Sequence, residues 1–374
     1  ILEGVRRGVE HGGNKSGIPT INGALVFDER YLGKPLVYCG TGGFLPRMIA
    51  GRPCQLKEIR PRDRICMVGG RIGKDGIHGA TFSSLALDES SPMSAVQLGD
   101  PITQKRMADF LLEARDMELY RAVTDNGAGG LSSSVGELAT LSGGATLNVS
   151  LAKTKVPGLK PFELVVSESQ ERMTLAVPPE KFPLFLALAE RRGVEVSDLG
   201  EFTSDGTFDV FAGGKCVASL SLDFLHKGTP KMQLTARWTP PESPPKIDAG
   251  MRFEEEGARA LVDLLGKPAI ASKEYLIRQY DHEVQGMSVI KPLQSVAAAR
   301  PNGGVGPNDA AVIKPKTSSD AGLAVGCGIN PGLSDFDPYL MAQAAVDEAI
   351  RNVVSSGASF GHADSVVALV DNFC

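Results

Sequence analysis

Apolar positions along the chain alternate between a period of two and a period of about 3.6, which predicts a mixture of strands and helices. Short apolar runs that open into glycine, such as ICMVGG over residues 65–70, predict buried strands. The segment DPITQKRMADFLLEARD predicts a helix, because Asp100 stands at its N-cap and Pro101 at its first position. This alternation of signals predicts a layered α/β (α+β) fold.

Further elements are predicted along the middle of the chain. We expect strands over AVTD, FELVV and MTLAV, and helices over LSSSVGELATL and PPEKFPLFLALAERRG, the second of them ended by Gly193. TFDVFAGGKCVASLSL predicts a hairpin that turns at Gly213 and Gly214. The polar segment SESQERM, residues 167–173, stands between two apolar runs, and its density of hydrogen-bonding groups predicts a bound polar ligand.

The last third of the chain is predicted to contain two more helices. One covers FEEEGARALVDLLG, and the other covers DPYLMAQAAVDEAIRNVVSSGA, with Asp337 as N-cap, Pro338 at the first position and Gly357 at the exit. The apolar character of the second helix predicts that it is buried on most of its sides. The closing segment VVALVDNFC predicts a buried strand that leads into a loop.

Composition narrows the class of protein. The 374 residues carry 39 basic and 44 acidic side chains, a formal net charge of -5, which disfavours nucleic-acid binding through a basic face. No apolar run reaches the roughly 18 to 20 residues of a membrane span, so we expect a cytoplasmic protein that does not cross a membrane. The six cysteines show neither a C-x-x-C pair nor zinc spacing, which predicts reduced structural thiols.

Many of the 43 glycines stand beside Asp, Asn or Ser, and TDNGAGGLSSSVGEL is the sharpest case. Its three glycines, at 127, 129 and 130, would let the backbone approach an anion, and the helix that follows offers free N–H groups and the positive end of its dipole. Asp125, at the tip of the strand, could hold a metal ion. The spacing is not that of the G-x-G-x-x-G fingerprint, so a tight turn without a ligand is the alternative.

A second glycine-rich segment, GGRIGKDGIHGATFSS, superficially resembles a phosphate-binding loop. Asp75 follows Lys74 where that loop needs Ser or Thr, and Val68 stands where its first glycine belongs, so a Walker-type ATPase is excluded. His78 is a candidate ligand contact, with a structural histidine as the alternative. No Ser-His-Asp or Cys-His arrangement is evident in the sequence.

Three residues near the C-terminus are candidate magnesium ligands. Glu348 and Asn352 are four apart and share one face of the last predicted helix, and side-chain oxygens one turn apart suit Mg²⁺. Asp309 follows a glycine-rich segment of the sequence and would complete a site for a metal-bound nucleotide. The alternatives are a solvated pair on a helix face and an ordinary turn aspartate.

Six motifs, GGRIGKDGIHGATFSS, VQLGDPITQKRM, TDNGAGGLSSSVGEL, SESQERM, YDHEVQG and DPYLMAQAAVDEAIRN, stand in this order. Together they closely resemble the phosphoribosylformylglycinamidine synthase family, in its synthetase part, over nearly the whole chain. That family belongs to the superfamily of aminoimidazole ribonucleotide synthetase. The resemblance implies aminoimidazole ribonucleotide synthetase-like N-type and C-type domains.

The resemblance implies a division into domains, with a seam near the proline-rich WTPPESPPK. We expect a central fragment of a longer polypeptide in which fragmentary N-type domains flank one complete C-type domain. Residues 1–55 would be the tail of a first N-type domain, and residues 56–238 the complete C-type domain. Residues 239–272 would form a proline-rich linker and a helix, and residues 273–374 the first half of a second N-type domain. The family's catalytic histidine would precede Ile1, so we assign no catalytic residue and expect no turnover from the chain alone. The apolar C-terminal end predicts self-association.

The resemblance also implies a reaction and its ligands. The family is a ligase that uses ATP and Mg²⁺ to convert formylglycinamide ribonucleotide, with ammonia from a glutaminase domain or subunit, to formylglycinamidine ribonucleotide in purine biosynthesis. Carried over, the substrate-binding residues are Gln97, His78, Glu168, Ser169 and Gln170, and Asp125 is a magnesium ligand. An auxiliary site would hold a structural ADP through Lys273 and Asp309, with Asp309, Glu348 and Asn352 as metal ligands.

Two alternatives remain from the sequence. The chain could be a non-catalytic module of the same assembly that binds ADP and Mg²⁺, or a related synthetase of the superfamily. Aminoimidazole ribonucleotide synthetase fits less well, because it has a single pair of N-type and C-type domains and no second unit after the prolines.

Overall fold

The computed structural model describes residues 1–32, 35–78, 99–239, 253–294, 306–361 and 366–370. The chain forms two compact units. One unit combines Ile1–Gly42 with Leu234–Cys374, and the other is Gly43–Gln233. Among the described residues, no helix combines the length and the apolar character that a membrane crossing requires.

The second unit, Gly43–Gln233, is built on a seven-stranded mixed sheet. In chain order after a small hairpin (β1, Met48–Ile49; β2, Arg52–Pro53), its strands are β3 (Arg64–Gly69), β4 (Ala122–Asp125), β5 (Gly144–Asn148), β6 (Arg172–Val177), β7 (Val196–Thr203), β8 (Thr207–Ala212) and β9 (Lys215–Ser221). Their order in the sheet is β4-β6-β3-β7-β5-β8-β9. Only the β5–β8 pair is parallel among these neighbours. The β8–β9 hairpin turns at Gly213 and Gly214, as predicted.

Helices cover both faces of this sheet. They are α2 (Pro101–Asp116), α3 (Gly130–Ser142), α4 (Pro161–Val166), α5 (Phe182–Arg192) and α6 (Leu222–Lys227), after α1 (Leu2–Gly12) in the other unit. On one face, α3 and α4 pack against Ile65 and Met67 of β3; on the other, α2 and α5 pack against Cys66 and Val68. Successive side chains of a strand point to opposite faces, so the apolar run of β3 supplies two cores.

The predicted strand over FELVV is wrong, because these residues lie in helix α4. Pro161 occupies the first helical position, and the Glu163 carboxylate accepts a hydrogen bond of 2.7 Å from the backbone N–H of Lys160. This capping interaction and the packing of buried Leu164 outweigh the strand preference of the two valines that end the run. The helix predicted after Asp100 is confirmed, and the Asp100 carboxylate caps it at the N–H of Ile102, 3.1 Å away.

The first unit contains a three-stranded antiparallel sheet in the order β10-β13-β14 and a two-stranded pair, β11 with β12. The strands are β10 (Ser288–Ile290), β11 (Leu293–Gln294), β12 (Gly306–Pro307), β13 (Ala310–Ile313) and β14 (Leu323–Gly326), and the helices are α1, α7 (Phe253–Leu265), α8 (Glu274–Ile277) and α9 (Pro338–Ser355). Asn14 joins distant parts of this unit: its side chain bonds both the N–H and the C=O of Asp281, at 2.9 and 2.8 Å.

Two predictions about the last part of the chain are wrong. Helix α9 begins after Asp337 as predicted, but none of its residues is buried, and Leu340 is 52% exposed. Residues 366–370 of the closing apolar segment form no strand, and Val366 is 98% exposed. Apolar composition alone therefore did not determine burial in this unit.

Candidate functional site

Three loops of the second unit meet at one edge of the large sheet. Strand β6 lies between β3 and β4 and runs antiparallel to both, so its first residues pair with the last residues of its neighbours. Arg172 pairs with Gly69, and Met173 pairs with Asp125. The polar loop of residues 167–171 therefore lies beside the glycine-rich turns that follow β3 and β4.

Ser169 lies at the centre of this edge. Its side chain is fully buried, and its hydroxyl donates to the Asp75 carboxylate while accepting a hydrogen bond of 2.8 Å from the backbone N–H of Gly73. Lys155 donates from Nζ to the same Asp75 oxygen, Oδ2, at 2.8 Å. The loop after β3 and the 167–171 loop are thus connected through one serine side chain.

Arg172 supports the 167–171 loop from below. The residue is only 3% exposed, and its guanidinium donates to the carbonyl oxygens of Ser169, at 2.7 Å, and Ser167, at 2.5 Å. Burial lowers the pKa of Arg172 to about 10, which leaves the group charged at neutral pH. No carboxylate within the described ranges forms an ion pair with it, so the buried guanidinium contributes a positive charge beneath the loop.

The turn after β4 leads into α3 through two glycines with positive φ, Gly129 at 79° and Gly130 at 55°. A Cβ on Gly130 would collide with the carbonyl oxygen of Ser167, so only glycine allows the turn and the loop to approach this closely. The backbone N–H of Gly129 donates to Glu168 Oε1, 3.1 Å away. The N-terminal end of α3 therefore faces the 167–171 loop, with a carboxylate already bound there.

Asp125 and Asn126 at the end of β4 have different environments. Asp125 is exposed, and its Oδ2 lies 2.8 Å from the position that a Cβ on Gly127 would take, so the carboxylate bends back over the glycine turn. Asn126 is buried, and its Oδ1 accepts from Ser134 at 2.5 Å and Thr174 at 2.8 Å. The buried amide fixes the turn, and the exposed carboxylate remains accessible to a ligand.

The remaining residues predicted to bind the substrate are Gln170, His78 and Gln97. Gln170 is exposed at the end of the 168–170 stretch, and His78 is exposed in the turn that also contains Asp75. Gln97 lies outside the described residues, as do the four prolines of the WTPPESPPK segment. The structure thus brings Glu168, Ser169 and Gln170 together with Asp125 at one sheet edge.

In the first unit, Glu348 and Asn352 face the loop that follows β14. Glu348 Oε2 accepts from the backbone N–H of Ile329 at 3.1 Å and from the side chain of Asn330 at 2.8 Å. Asn352 donates to the carbonyl oxygen of Cys327 at 2.9 Å. Both side chains are half-buried and hold this loop against α9.

Asp309 is exposed immediately before β13, whose first residue, Ala310, pairs with Gly326. This register places Asp309 beside Cys327 and so at the same edge as Asn352. Lys273 makes local hydrogen bonds to the carbonyl oxygens of Ala271 and Ala269, at 2.5 and 3.4 Å. The structure therefore places Asp309, Glu348 and Asn352 beside the loop after β14, whereas the Lys273 side chain donates to the segment just before α8.

Within the residues that the structure describes, no group of three His, Cys, Asp or Glu side chains could hold a metal ion by itself. A magnesium ion is commonly bound through one or two carboxylates together with phosphate oxygens, so a single carboxylate beside an anion-binding turn still fits this cation. Asp125 satisfies that condition.

Sequence reasoning missed the supporting roles of Asp75, Lys155 and Arg172. Asp75 and Arg172 belong to motifs that the sequence had singled out, but Lys155 belongs to none. Its approach to Asp75 depends on a backbone bridge between Ile72 and Thr154, in which the N–H of Lys155 donates to the carbonyl of Ile72 at 2.8 Å. No local pattern indicates this contact.

Comparison with protein families gives two matches along the chain. The AIR synthase related protein, C-terminal domain, matches residues 60–213, and the AIR synthase related protein, N-terminal domain, matches residues 307–369. The chain therefore belongs to the AIR synthase related proteins, and the expected N-type and C-type folds are confirmed. The domain boundaries expected from the sequence stay a prediction.

Within this class the chain is a homologue of phosphoribosylformylglycinamidine synthase subunit PurL. It is 33% identical to the PurL of Thermoplasma acidophilum, over 98% of this chain and 47% of the relative. It is 34% identical to that of Methanopyrus kandleri, over 96% of this chain and 48% of the relative. The chain thus spans about half the length of the curated relatives it matches.

Solved structures of similar proteins show the same fold. Thermotoga maritima PurL complexed with FGAR superposes with a TM-score of 0.70 at 25% identity, over 96% of this chain and 54% of that one. The same protein complexed with ADP superposes with a TM-score of 0.66 at 22% identity, over 95% of this chain and 51% of that one.

Proposed function

We propose that the chain forms part of the ATP-dependent ligase that converts formylglycinamide ribonucleotide and ammonia to formylglycinamidine ribonucleotide. The observation that carries the proposal is the meeting of the 168–170 loop, the Asp125 turn and the N-terminal end of α3 at one sheet edge. Similarity to PurL over 96–98% of the chain supports it, as does the FGAR complex of the similar Thermotoga maritima protein.

The geometry suits the binding of an anionic substrate. The glycine turn before α3 presents N–H groups and the positive end of the helix dipole, and Arg172 adds a buried positive charge beneath the 167–171 loop. Glu168 and Gln170 at the same edge supply acceptors and donors for the polar groups of a ribonucleotide. We assign Gln97 and His78 to the same substrate, on the resemblance alone.

The chemical step explains why such a site needs a cation. An amide carbon is a poor electrophile, so ATP must first transfer a phosphoryl group to the amide oxygen. Ammonia can then attack the carbon and displace phosphate. Mg²⁺ would neutralise the charge of the phosphates when bound. In this chain Asp125 would hold the ion, because its carboxylate is exposed over the glycine turn. The chain's own part is to bind and orient the substrate.

The proposal includes a second, non-reacting nucleotide site in the first unit. Glu348 Oε2 and Asn352 Nδ2 hold the loop after β14, so a magnesium role would use Glu348 Oε1 and Asn352 Oδ1, with Asp309 beside them. Lys273 would contact a phosphate of ADP. Ammonia would come from a glutaminase domain or subunit, and the reaction would take place in the cytoplasm.

Thermal unfolding with each ligand tests the proposal. At a free concentration of 100 times its dissociation constant, a ligand stabilises the folded chain by about 2.7 kcal/mol. We expect formylglycinamide ribonucleotide to raise the melting midpoint, and Asp125→Asn to abolish any further rise that Mg²⁺ produces with the substrate. Stabilisation by Mg-ADP alone would instead support a non-catalytic nucleotide-binding module. If neither ligand moves the midpoint, both assignments fail.

A further inference from the structure

The hydroxyl of Ser169 is fully engaged by the protein. A serine hydroxyl has one proton to donate, and Ser169 gives it to the Asp75 carboxylate. Its oxygen accepts the N–H of Gly73 at 2.8 Å, and the Ser167 hydroxyl lies 3.2 Å away. With a side chain that is fully buried, Ser169 has no proton left for a ligand at the surface of the loop.

Asp75 is tied to the 167–171 loop a second time through its backbone. Its carbonyl oxygen accepts the N–H of Glu168 at 2.8 Å, so backbone and side chain hold two successive residues of the loop. Lys155 in turn donates to the same carboxylate oxygen as Ser169, and its side chain is 40% exposed. We call the Asp75 carboxylate, the Lys155 ammonium and the Ser169 hydroxyl the latch.

The charges within the latch reinforce its hydrogen bonds. Burial by itself would raise the pKa of Asp75, but hydrogen bonds from Lys155 and Ser169 outweigh it and hold the pKa below its usual range. The carboxylate is therefore ionised at neutral pH. Hydrogen bonds to an ionised acceptor are stronger than those between neutral groups, so the loop keeps its shape before any ligand arrives.

We infer that Asp75 and Lys155 are positioning residues for the 167–171 loop, and that Ser169 belongs to the latch and does not contact the ligand. The ligand then meets Glu168, Gln170 and the loop backbone, which the latch holds beside the N-terminal end of α3. The inference rests on the proposed function, which places the 168–170 loop at the substrate through Glu168 and Gln170.

The chemistry of the latch suggests a matched set of variants. Lys155→Met removes the charge and the donor, Lys155→Arg restores both, and Lys153→Met makes the same change two residues away, outside the latch. We expect Lys155→Met to weaken binding of formylglycinamide ribonucleotide, measured by isothermal titration, about tenfold, the weight of one hydrogen bond to a charged group. Lys155→Arg should recover most of this loss, and Lys153→Met should bind like the unaltered chain.

If Lys155 only stabilised the fold, its variants would change the melting midpoint and the affinity together. Lys155 is partly exposed and lies outside both apolar cores, so Lys155→Met should lower the melting midpoint without ligand by no more than about 4 °C, as expected for the loss of one ion pair, and the other two variants should leave it unchanged. Equal affinities of Lys155→Met and the unaltered chain would overturn the inference. So would a loss of affinity that merely follows a fall in the melting midpoint and that Lys155→Arg does not repair.

Amide hydrogen exchange tests the latch without a ligand. The N–H groups of Gly73 and Glu168 donate to Ser169 Oγ and to the Asp75 carbonyl, so both should be protected in the unaltered chain. Ser169→Ala should speed exchange at Gly73 at least about tenfold, the weight of the lost hydrogen bond. Unprotected amides would disprove the latch. If the amides are protected but the unaltered chain binds no substrate, the proposed function fails, and with it the assignment of the latch to a ligand.

Discussion

The Glu168 carboxylate bonds the backbone N–H of Gly129 at a distance of 3.1 Å between Oε1 and N. This contact places a negative charge at the end of α3 where the helix dipole is positive. The sequence had predicted an anion-binding turn at this place. In the structure, one of the N–H groups that would bind the anion is already occupied by a side chain from the neighbouring loop, so Glu168 and an incoming phosphate compete.

The variant Glu168→Gln separates the hydrogen bond that this side chain accepts from the negative charge that it places at the end of α3. The amide oxygen can still accept the N–H of Gly129, but the charge is lost, and we expect the ligand-free chain to lose roughly 0.3 to 1 kcal/mol of its free energy of unfolding. The same loss of negative charge should make inorganic phosphate stabilise the variant more than the unaltered chain, in a phosphate titration of the melting midpoint. Glu137→Gln, an exposed change farther along α3, is the control and should do neither.

Gly130 permits the close approach of the α3 turn to the 167–171 loop, and Gly130→Ala should break it. The cost has two parts: a positive φ of 55°, and a collision with the Ser167 carbonyl oxygen. Gly206→Ala shares only the first part, because its φ is 84° and no atom lies within 4 Å of its added Cβ. We expect about 1 kcal/mol of destabilisation for Gly206→Ala and about 3 kcal/mol or more for Gly130→Ala in urea unfolding. Equal losses would show that the collision is relieved by movement.

Local signals in the sequence sufficed for most elements of the second unit. Asp100 before Pro101 marked the start of α2, and the glycine pair at 213 and 214 marked the hairpin, because each acts through its immediate neighbours. Helix α4 was missed because two valines suggested a strand, whereas a side-chain cap and the packing of Leu164 decided the outcome. Propensity is outweighed wherever a cap and buried contacts favour the other state.

The candidate site was predictable only in part, because it is formed by contacts between residues that are distant in the sequence. The polar loop and the glycine turn are visible as motifs, and their meeting follows from strand order, which the sequence did not give. The hydrogen bond from Ser169 to Asp75 joins residues 94 apart, and that from Lys155 to Asp75 joins residues 80 apart. Contacts at such separations depend on the register of the whole sheet, so no local pattern predicts them.

Arg172 holds two buried carbonyl oxygens, and Arg172→Met should leave both without a partner. An unsatisfied buried acceptor costs about 1 to 3 kcal/mol, so we expect the two of them together to lower the free energy of unfolding by about 2 to 6 kcal/mol. Arg71→Met is a suitable control, since Arg71 is 55% exposed and pairs with Glu195 at the surface. Such a pair contributes at most about 1 kcal/mol. A similar small loss for both variants in urea unfolding would contradict the supporting role of Arg172.

Glu171 should make stability depend on pH. Burial, with help from the nearby Asp100 and Asp75 carboxylates, raises its pKa above 4.5. The folded chain then keeps a proton that the unfolded chain has lost, so the contribution of Glu171 to the free energy of unfolding falls as pH rises from about 4.5 through the raised pKa. Glu171→Gln removes this penalty and should be more stable than the unaltered chain at pH 7, with the difference vanishing in acid.

The variant Glu195→Gln is a suitable comparison, because the pKa of Glu195 is shifted in the opposite direction from that of Glu171. Hydrogen bonds from Arg71 lower the pKa of Glu195, so its stabilising contribution is present above 4.5 and is lost as pH falls through the lowered pKa. This variant should therefore be less stable than the unaltered chain at pH 7. Urea unfolding at several pH values measures both variants, and the same sign of change for the two would refute this account of Glu171.

Glu348 should stabilise the first unit even without a metal ion, because its carboxylate bonds the N–H of Ile329 and the side chain of Asn330. We expect Glu348→Ala to lower the free energy of unfolding by about 1 to 3 kcal/mol, as two hydrogen bonds to a charged group are lost. The neighbouring Asp347 forms only an exposed pair with Arg351 among its described contacts, so Asp347→Ala should cost less than about 1 kcal/mol. Thermal unfolding without magnesium and nucleotide, and then with both, distinguishes the roles: a Glu348→Ala loss that emerges only with the ligands would assign the carboxylate to them instead of to the loop.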